Sequence, residues 1–250
     1  MAVISDNLVL YASANMPQND SNTSGGSINS GVRVTFSDPS PAAQVIVFSS
    51  SASDTSQTLA LVGRNPAGSI VTESLSLDGT TNVTSSNTFE RLLTADLSAG
   101  AVGVITVSGN GVNKIADIPI GESGFLRPFY DATSSASSSK TLYEKIFVKN
   151  NNTSSTLDGA TLIPVAATGL ASQITYGMEN GKGSPQSVSD RTTAPTGVDT
   201  FGSGASGVYP NGTGNLVAHD YQGFWLKLSL EANESAINSF YDIQVSGTTS

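Results

Sequence analysis

Val32-Arg33-Val34-Thr35-Phe36 places an apolar side chain at every second position. Only a chain rising with period two puts such residues on one face, so the stretch predicts a strand with one buried and one wet face. The same alternation recurs outward from it. Gln44–Phe48, Thr58–Val62, Ile70–Leu77 and Gly103–Val107 follow on one side; Tyr143–Val148, Phe224–Leu230 and Phe240–Val245 lie further on. β-Branched and aromatic residues fill the apolar positions, as pleated, half-buried surfaces favour. The sequence therefore predicts an all-β fold built from antiparallel sheets.

Turn signals separate these runs. Asn65-Pro66-Ala67-Gly68 predicts a hairpin between Leu59–Val62 and Ile70–Leu77. Asp78-Gly79 is the dipeptide a type I′ turn prefers, because both residues tolerate positive φ. Only Thr88–Ala95 (TFERLLTA) has a helical look. Gly121–Asp131 breaks the pattern and a Ser-rich stretch, Ser134–Ser139, follows, which reads as a linker. The expectation is two sandwich- or barrel-like antiparallel domains, 1–122 and 123–250, with long polar loops and an extended N-terminal arm over 1–31. Ile105-Thr106-Val107-Ser108-Gly109 and Ile243-Gln244-Val245-Ser246-Gly247 echo one another near the ends of the two halves. Asn15–Gly31 and Asn180–Asn215 are long and polar, and read either as arms lying on neighbouring subunits or as surface loops.

A chain of 250 residues can bury a sizeable core without metal or disulfide staples. Charged residues are only 12% of it, against roughly 25% in ordinary domains, and Ser, Thr, Asn and Gly replace them. The net charge of −9 argues against binding a polyanion such as nucleic acid. There are no cysteines, which removes thiolate nucleophiles, disulfides and Cys-ligated zinc. Met1–Leu10 lacks a basic n-region and a long apolar core, so no secretory signal is expected, and no stretch is apolar enough for a membrane helix. Synthesis in a cytoplasm is the expectation.

Motifs that could carry chemistry are sparse. His219 is the only histidine, and no Gly-x-Ser-x-Gly elbow accompanies it, so a Ser-His-Asp triad is not expected. Gly202-x-Gly204-x-x-Gly207 matches a dinucleotide fingerprint in letters, but lacks the strand before it and the helix after it. Glu73, Glu90, Glu122, Glu144 and Glu179 are the carboxylates from which a glycosidase pair could be drawn. Glu73 and Glu144 fall at strand positions expected to face solvent. One histidine without cysteine leaves a transition-metal site short of ligands. The sequons, Asn152-Thr153-Ser154 among them, read as accidents of composition. Phe224–Leu230 holds the only tryptophan, Trp225. It reads as a buried strand pairing with Phe240-Tyr241-Asp242-Ile243, or else as a carbohydrate-stacking platform with Tyr221. No catalytic residue, cofactor or metal ligand is assigned.

Three stretches carry a resemblance. They are Ser5–Pro17 (SDNLVLYASANMP); Val62–Gly68 (VGRNPAG) with Leu75–Thr81 (LSLDGTT) and Thr88–Arg91; and Gly223–Leu230 (GFWLKLSL) with the closing Val245–Thr249. Together they resemble a family of virion structural proteins of tailed bacteriophages. The resemblance implies a β-rich, non-enzymatic particle component. Together with the acidic, cysteine-free, turn-rich chain it leads to the expectation of a capsid cement or decoration protein bridging major capsid subunits, as a homotrimer on the capsid surface. A neck or tail component, a ring or sheath-decorating subunit, is the alternative within that class. A carbohydrate-binding or host-adhesion module is the alternative outside it. Neither nucleic acid nor membrane is expected as a partner.

Overall fold

The computed structural model describes the chain apart from residues 1, 4, 17–18, 36–42, 111–112, 131, 133–136, 167–173, 203–206, 209–213 and 234–240. Phe36, Gly204, Phe240 and residues 134–136 of the Ser-rich stretch thus lie outside the described residues. The protein is essentially all-β, with a short 3-10 turn at Ser5–Asn7 as its one helical element among the described residues. No helix there is long and apolar enough to cross a membrane.

In chain order the strands begin with β1 (Leu8–Asn15), β2 (Ser24–Val34), β3 (Ala43–Ser49), β4 (Thr58–Arg64) and β5 (Ile70–Ser76). Next come β6 (Val83–Phe89), β7 (Arg91–Leu97), β8 (Ile105–Gly109), β9 (Asn113–Ile118) and β10 (Gly124–Leu126). The last are β11 (Lys140–Asn150), β12 (Leu157–Ala166), β13 (Ile174–Met178), β14 (Ser187–Val188), β15 (Gly207–Val208), β16 (Tyr221–Leu230) and β17 (Tyr241–Thr249).

The chain divides into two compact units, one of residues 1–29 with 128–250 and the other of residues 30–127. This differs from the expected division at 122/123. Residues 1–29 join the C-terminal part because β1 pairs antiparallel with β11, from Leu8 opposite Asn150 to Ala12 opposite Ile146. Tyr11 and Ala12 are buried there. The expected arm over 1–31 is therefore strand: β1 lies inside a sheet, and most of 24–31 is β2.

In the unit of residues 30–127, one layer runs β5-β4-β7-β10 with the end of β2 parallel to β10, and the other runs β6-β3-β8-β9. Inward-facing residues of both layers meet in one core: Val45, Val47, Ile105 and Val107 from one, Leu59, Leu61, Leu92 and Phe125 from the other. The hairpin expected at Asn65–Gly68 joins β4 to β5 in register, Leu59 opposite Leu75. Asn65 Oδ1 accepts the amides of Ala67 and Ser69, an Asx arrangement that closes the turn. At Asp78-Gly79 only Gly79 has positive φ, 56°. The bond from the Thr81 amide to the Asp78 carbonyl then makes Gly79 the first central residue, as in a type II′ rather than the expected type I′ turn.

Thr88–Ala95 is not a helix. Phe89 ends β6, Glu90 turns, and β7 pairs with β4. Phe89 is fully buried, and Gly63 of β4 has no Cβ because one would meet the Phe89 ring at 2.4 Å. Tertiary burial of an aromatic, worth about 1.5–3 kcal/mol, overrides the weak local helical pattern.

In the other unit the sheet runs β13-β16-β11-β1, with β11 and β16 antiparallel over their whole length. A second sheet, β15-β12-β17, holds the C-terminal strand. β16 thus pairs with β11 and β13, and β17 pairs with β12; the expected pairing of Phe224–Leu230 with the Tyr241 strand does not occur. β11 is buried on both faces from Leu142 to Val148. On one face the segment after β13 covers it, with Val188, Val198 and Phe201 against Tyr143 and Trp225. On the other, the Tyr176 hydroxyl donates to the Leu162 carbonyl of β12. The polar segment from Asn180 to Gly202 lies over its own unit, through β14 on β2 and bridges from Val198 and Gly202 to the β13 edge.

Candidate functional site: two buried ionic clamps

Lys145 and Trp225 face each other across β11 and β16, and Gly223 lies opposite Phe147 on the same face. The Lys145 side chain is fully buried. Its Nζ lies 2.8 Å from Glu179 Oε1 and donates to the Ser184 carbonyl at 2.6 Å, with a longer contact to Gln186 O. Trp225 Nε1 donates to the same Glu179 oxygen at 3.1 Å. The ammonium also stands 4.8 Å from the Phe147 ring centroid, a cation–π contact. Gly223 leaves the room: a Cβ there would sit 2.4 Å from Glu179 Oε2. Burial pushes the Lys145 pKa down, which its Glu179 partner only partly offsets. Burial likewise pushes Glu179 up against the pull of Lys145 and Trp225.

The second clamp uses Arg191, whose side chain is almost completely buried. Its guanidinium binds Glu144 Oε1 at 3.0 Å and Asp20 Oδ1 at 2.9 Å. Glu144 Oε2 accepts the Phe129 amide at 2.8 Å, and Asp20 Oδ2 meets Lys140 Nζ at 2.6 Å. The main chain follows: Arg191 N–H donates to Asp20 O, and Tyr143 N–H donates to Arg191 O. Burial raises the Asp20 pKa, but Lys140 and Arg191 together outweigh it and hold it below the ordinary carboxylate value. The two clamps fix residues 179–191 onto the sheet from both sides of that segment.

The unit of residues 30–127 uses carboxylates differently. Asp54 is sealed from solvent. It accepts Ser49 Oγ at 2.5 Å, Gln57 Nε2 at 3.1 Å and the amides of Val102 and Gly103 at 2.8 and 2.9 Å. Burial raises its pKa and is the largest single effect, but the four donors together outweigh it and hold it below the ordinary carboxylate value. Glu73 reaches from β5 to the amides of Ser86 and Asn87 in β6 at 2.6 and 2.9 Å, and these bonds outweigh desolvation to lower its pKa too.

The carboxylates named from the sequence are thus dispersed. Glu73 bonds backbone amides, Glu90 is exposed, and Glu122 pairs with Arg33 at 2.5 Å. Glu144 and Glu179 belong to separate clamps. The expectation that Glu144 faces solvent fails because β11 is covered on both sides. His219 is exposed, at φ 64° in a turn. Gly202 bridges Tyr176 and Gly207 opens the short β15. Asn152 is buried and donates its amide nitrogen to Asn7 Oδ1, so that sequon serves internal bonding. Trp225 is wholly buried, which removes it as a stacking platform, and Tyr221 is half-buried against Phe147. Among the described residues no group of three or more His, Asp or Glu could hold a metal ion.

Lys145, Arg191, Asp20 and Asp54 were not singled out from the sequence. One signal was present: Glu144-Lys145 sits inside Tyr143–Val148, and adjacent strand residues point to opposite faces. Two neighbouring charges in an apolar run therefore announce a strand buried on both sides with a partner ion on each. No protein-family model, curated protein or solved structure matches the chain.

Proposed function

We propose that this chain is a non-enzymatic structural protein of a tailed-phage particle, a cement or decoration subunit bridging major capsid proteins on the outside of the head. The observation that carries the reading is how the buried charge is used. Lys145–Glu179 and Arg191–Glu144–Asp20 spend their charge on pinning a long polar segment to a sheet. Buried ion pairs contribute little net stability against apolar substitutes, but they oblige the chain to adopt one arrangement. A subunit that repeats over a shell needs a surface held in one shape, since its work is interface area made many times over. The acidic balance suits a shell exterior, away from packaged DNA. The resemblance of Ser5–Pro17 and Gly223–Leu230 to phage virion proteins points the same way.

Cryo-electron microscopy of the particle tests this. Density repeated over the icosahedral lattice between capsomers is expected. Density confined to the portal vertex or tail would replace cement with a neck or tail component, and absence from the particle would overturn the whole reading.

A further inference from the structure

Sheet edges expose unpaired amides and carbonyls, and proteins blunt them with charges, prolines, bulges or covering segments. Most edges here are blunted. Glu73 of β5 caps the amides of Ser86 and Asn87 in β6. β9 carries Lys114 and Asp117 and a register shift opposite Val107/Ser108. The outer edge of β13 is met by Val198 and Gly202. β17 differs: it runs nine residues, Tyr241–Thr249, and ends the sheet order β15-β12-β17. It contains no Lys, Arg or Pro, and Asp242 is its one charged residue in a chain of net charge −9.

The ladder shows which backbone groups are open. Ser250 N–H and Thr156 N–H exchange bonds with each other's carbonyls, so residue 250 points toward the β12 side. Alternation then directs residues 248, 246, 244 and 242 to β12, and 249, 247, 245, 243 and 241 outward. Two facts agree. Leu157, opposite Thr249, turns its amide to the Leu216 carbonyl, away from β17. Pro164, which has no N–H, stands opposite Ile243, where none is needed.

The echoing pentapeptides supply the comparison. In β8, Ile105-Thr106-Val107-Ser108-Gly109 is paired by β3 and β9, and Ile105 and Val107 are fully buried. In β17, Ile243-Gln244-Val245-Ser246-Gly247 is paired on one side, and Ile243 and Val245 are only half-buried. Among the described residues the second copy of the phrase has no second neighbour, where the first has one.

We infer that the outer edge of β17 pairs antiparallel with β17 of a second copy of this chain, about a two-fold axis at Val245. With most other edges blunted, the edge left for a second copy is β17 itself, and an isologous contact closes at two copies. Centring on Val245 uses the strand from Asp242 to Thr248, short of Thr249, whose hydroxyl meets the Val3 main chain: Ile243 faces Gly247, Gln244 faces Ser246, and Asp242 faces Thr248, so the like charges stand apart. A single strand pair lies at the small end of specific interfaces, below about 1,200 Å², so the contact is weak in solution and gains from repetition. It adds a two-fold link and does not rest on where in a particle the chain works.

The absence of cysteine makes the register testable. Residue 245 meets its own copy at about 5.5 Å between Cα atoms, within disulfide reach, whereas residue 243 is several residues from its copy. Val245→Cys is expected to form a disulfide-linked dimer on mild oxidation, and Ile243→Cys to remain uncrosslinked. Sedimentation of the unaltered chain is expected to show a reversible doubling of mass. Gln244→Lys, at an exposed side chain, is expected to weaken that doubling about tenfold or more with the melting temperature unchanged. Equal crosslinking of both cysteine variants, no doubling up to about 1 mM, or doubling indifferent to Gln244→Lys would each overturn the inference.

Discussion

The two units face one problem, holding long loops in place without cysteine, and solve it with different chemistry. In residues 30–127 a carboxylate is surrounded by neutral donors. Asp54 gathers one hydroxyl, one side-chain amide and two backbone amides, and so ties the turns at 50–57 and 100–103 together. In the other unit the carboxylates meet buried cations, Lys145 and Arg191. Both Asp54 and Glu179 are buried, so the contrast lies in their partners. Asp54 accepts from four donors at once, and together these outweigh the cost of burying its charge. A carboxylate between two covered sheet faces is met by a full counter-charge. The ionic clamps should therefore be costly to break by removing the cation, and the Asp54 site should be sensitive to acid.

The largest expected effect is at Lys145. Lys145→Met leaves Glu179 buried without its cation and should destabilise its unit by about 3–5 kcal/mol. The only tryptophan, Trp225, lies in this clamp, so urea titration followed by its fluorescence reports on this unit alone. The double variant Lys145→Met with Glu179→Leu should recover much of the loss; a double variant as unstable as the single would show that shape, not charge, holds the segment. Next is Arg191→Met, expected to cost about 3 kcal/mol and to open residues 180–202 to proteases. Cleavage no faster than in the unaltered chain would break the idea that this clamp pins the cover.

Asp54→Asn should cost about 1–3 kcal/mol, because one amide oxygen cannot accept from all the donors a carboxylate satisfies. The pH effect has a definite sign. The folded pKa of Asp54 is lowered from 3.8, so its contribution is present above that value and fades as pH falls through the lower, folded one. Glu179 is raised, so its contribution runs the other way: stability declines as pH rises from the ordinary value of 4.5 through the folded one. Calorimetry of Asp54→Asn between neutral and acid pH should show a shallower acid loss than the unaltered chain; parallel curves would refute the assignment. The smallest effect is expected at Lys114→Ala. Its pair with Asp117 is solvent-exposed, so stability should change by less than about 0.5 kcal/mol and less still in high salt.

Much of the fold was legible because alternation is local. Gln44–Phe48, Thr58–Val62, Tyr143–Val148 and Phe224–Leu230 all lie within strands. The reading failed where partners decide. Thr88–Ala95 looked helical in isolation, and the burial of Phe89 against Gly63 made it two strands. Glu144 looked solvent-facing because the rule for a strand with one wet face does not know that a distant segment will cover the other. Of the clamps, only Glu144 and Glu179 were in view, and as candidates for chemistry rather than as halves of ion pairs. Their partners lie 47 and 34 positions away.

What the sequence determined by itself is the all-β character, the turn that joins β4 to β5, and an inventory of side chains with no cysteine and a single histidine. Those depend on period, φ preference and composition, which act between near neighbours. Only the tertiary structure decided that the first strand belongs with the last half of the chain, that Trp225 is sealed, that Lys145 and Arg191 are clamps, and that β17 is paired on one side only among the described residues. Each of these depends on what meets a strand across its edge or over its face, and those neighbours come from residues far away along the chain.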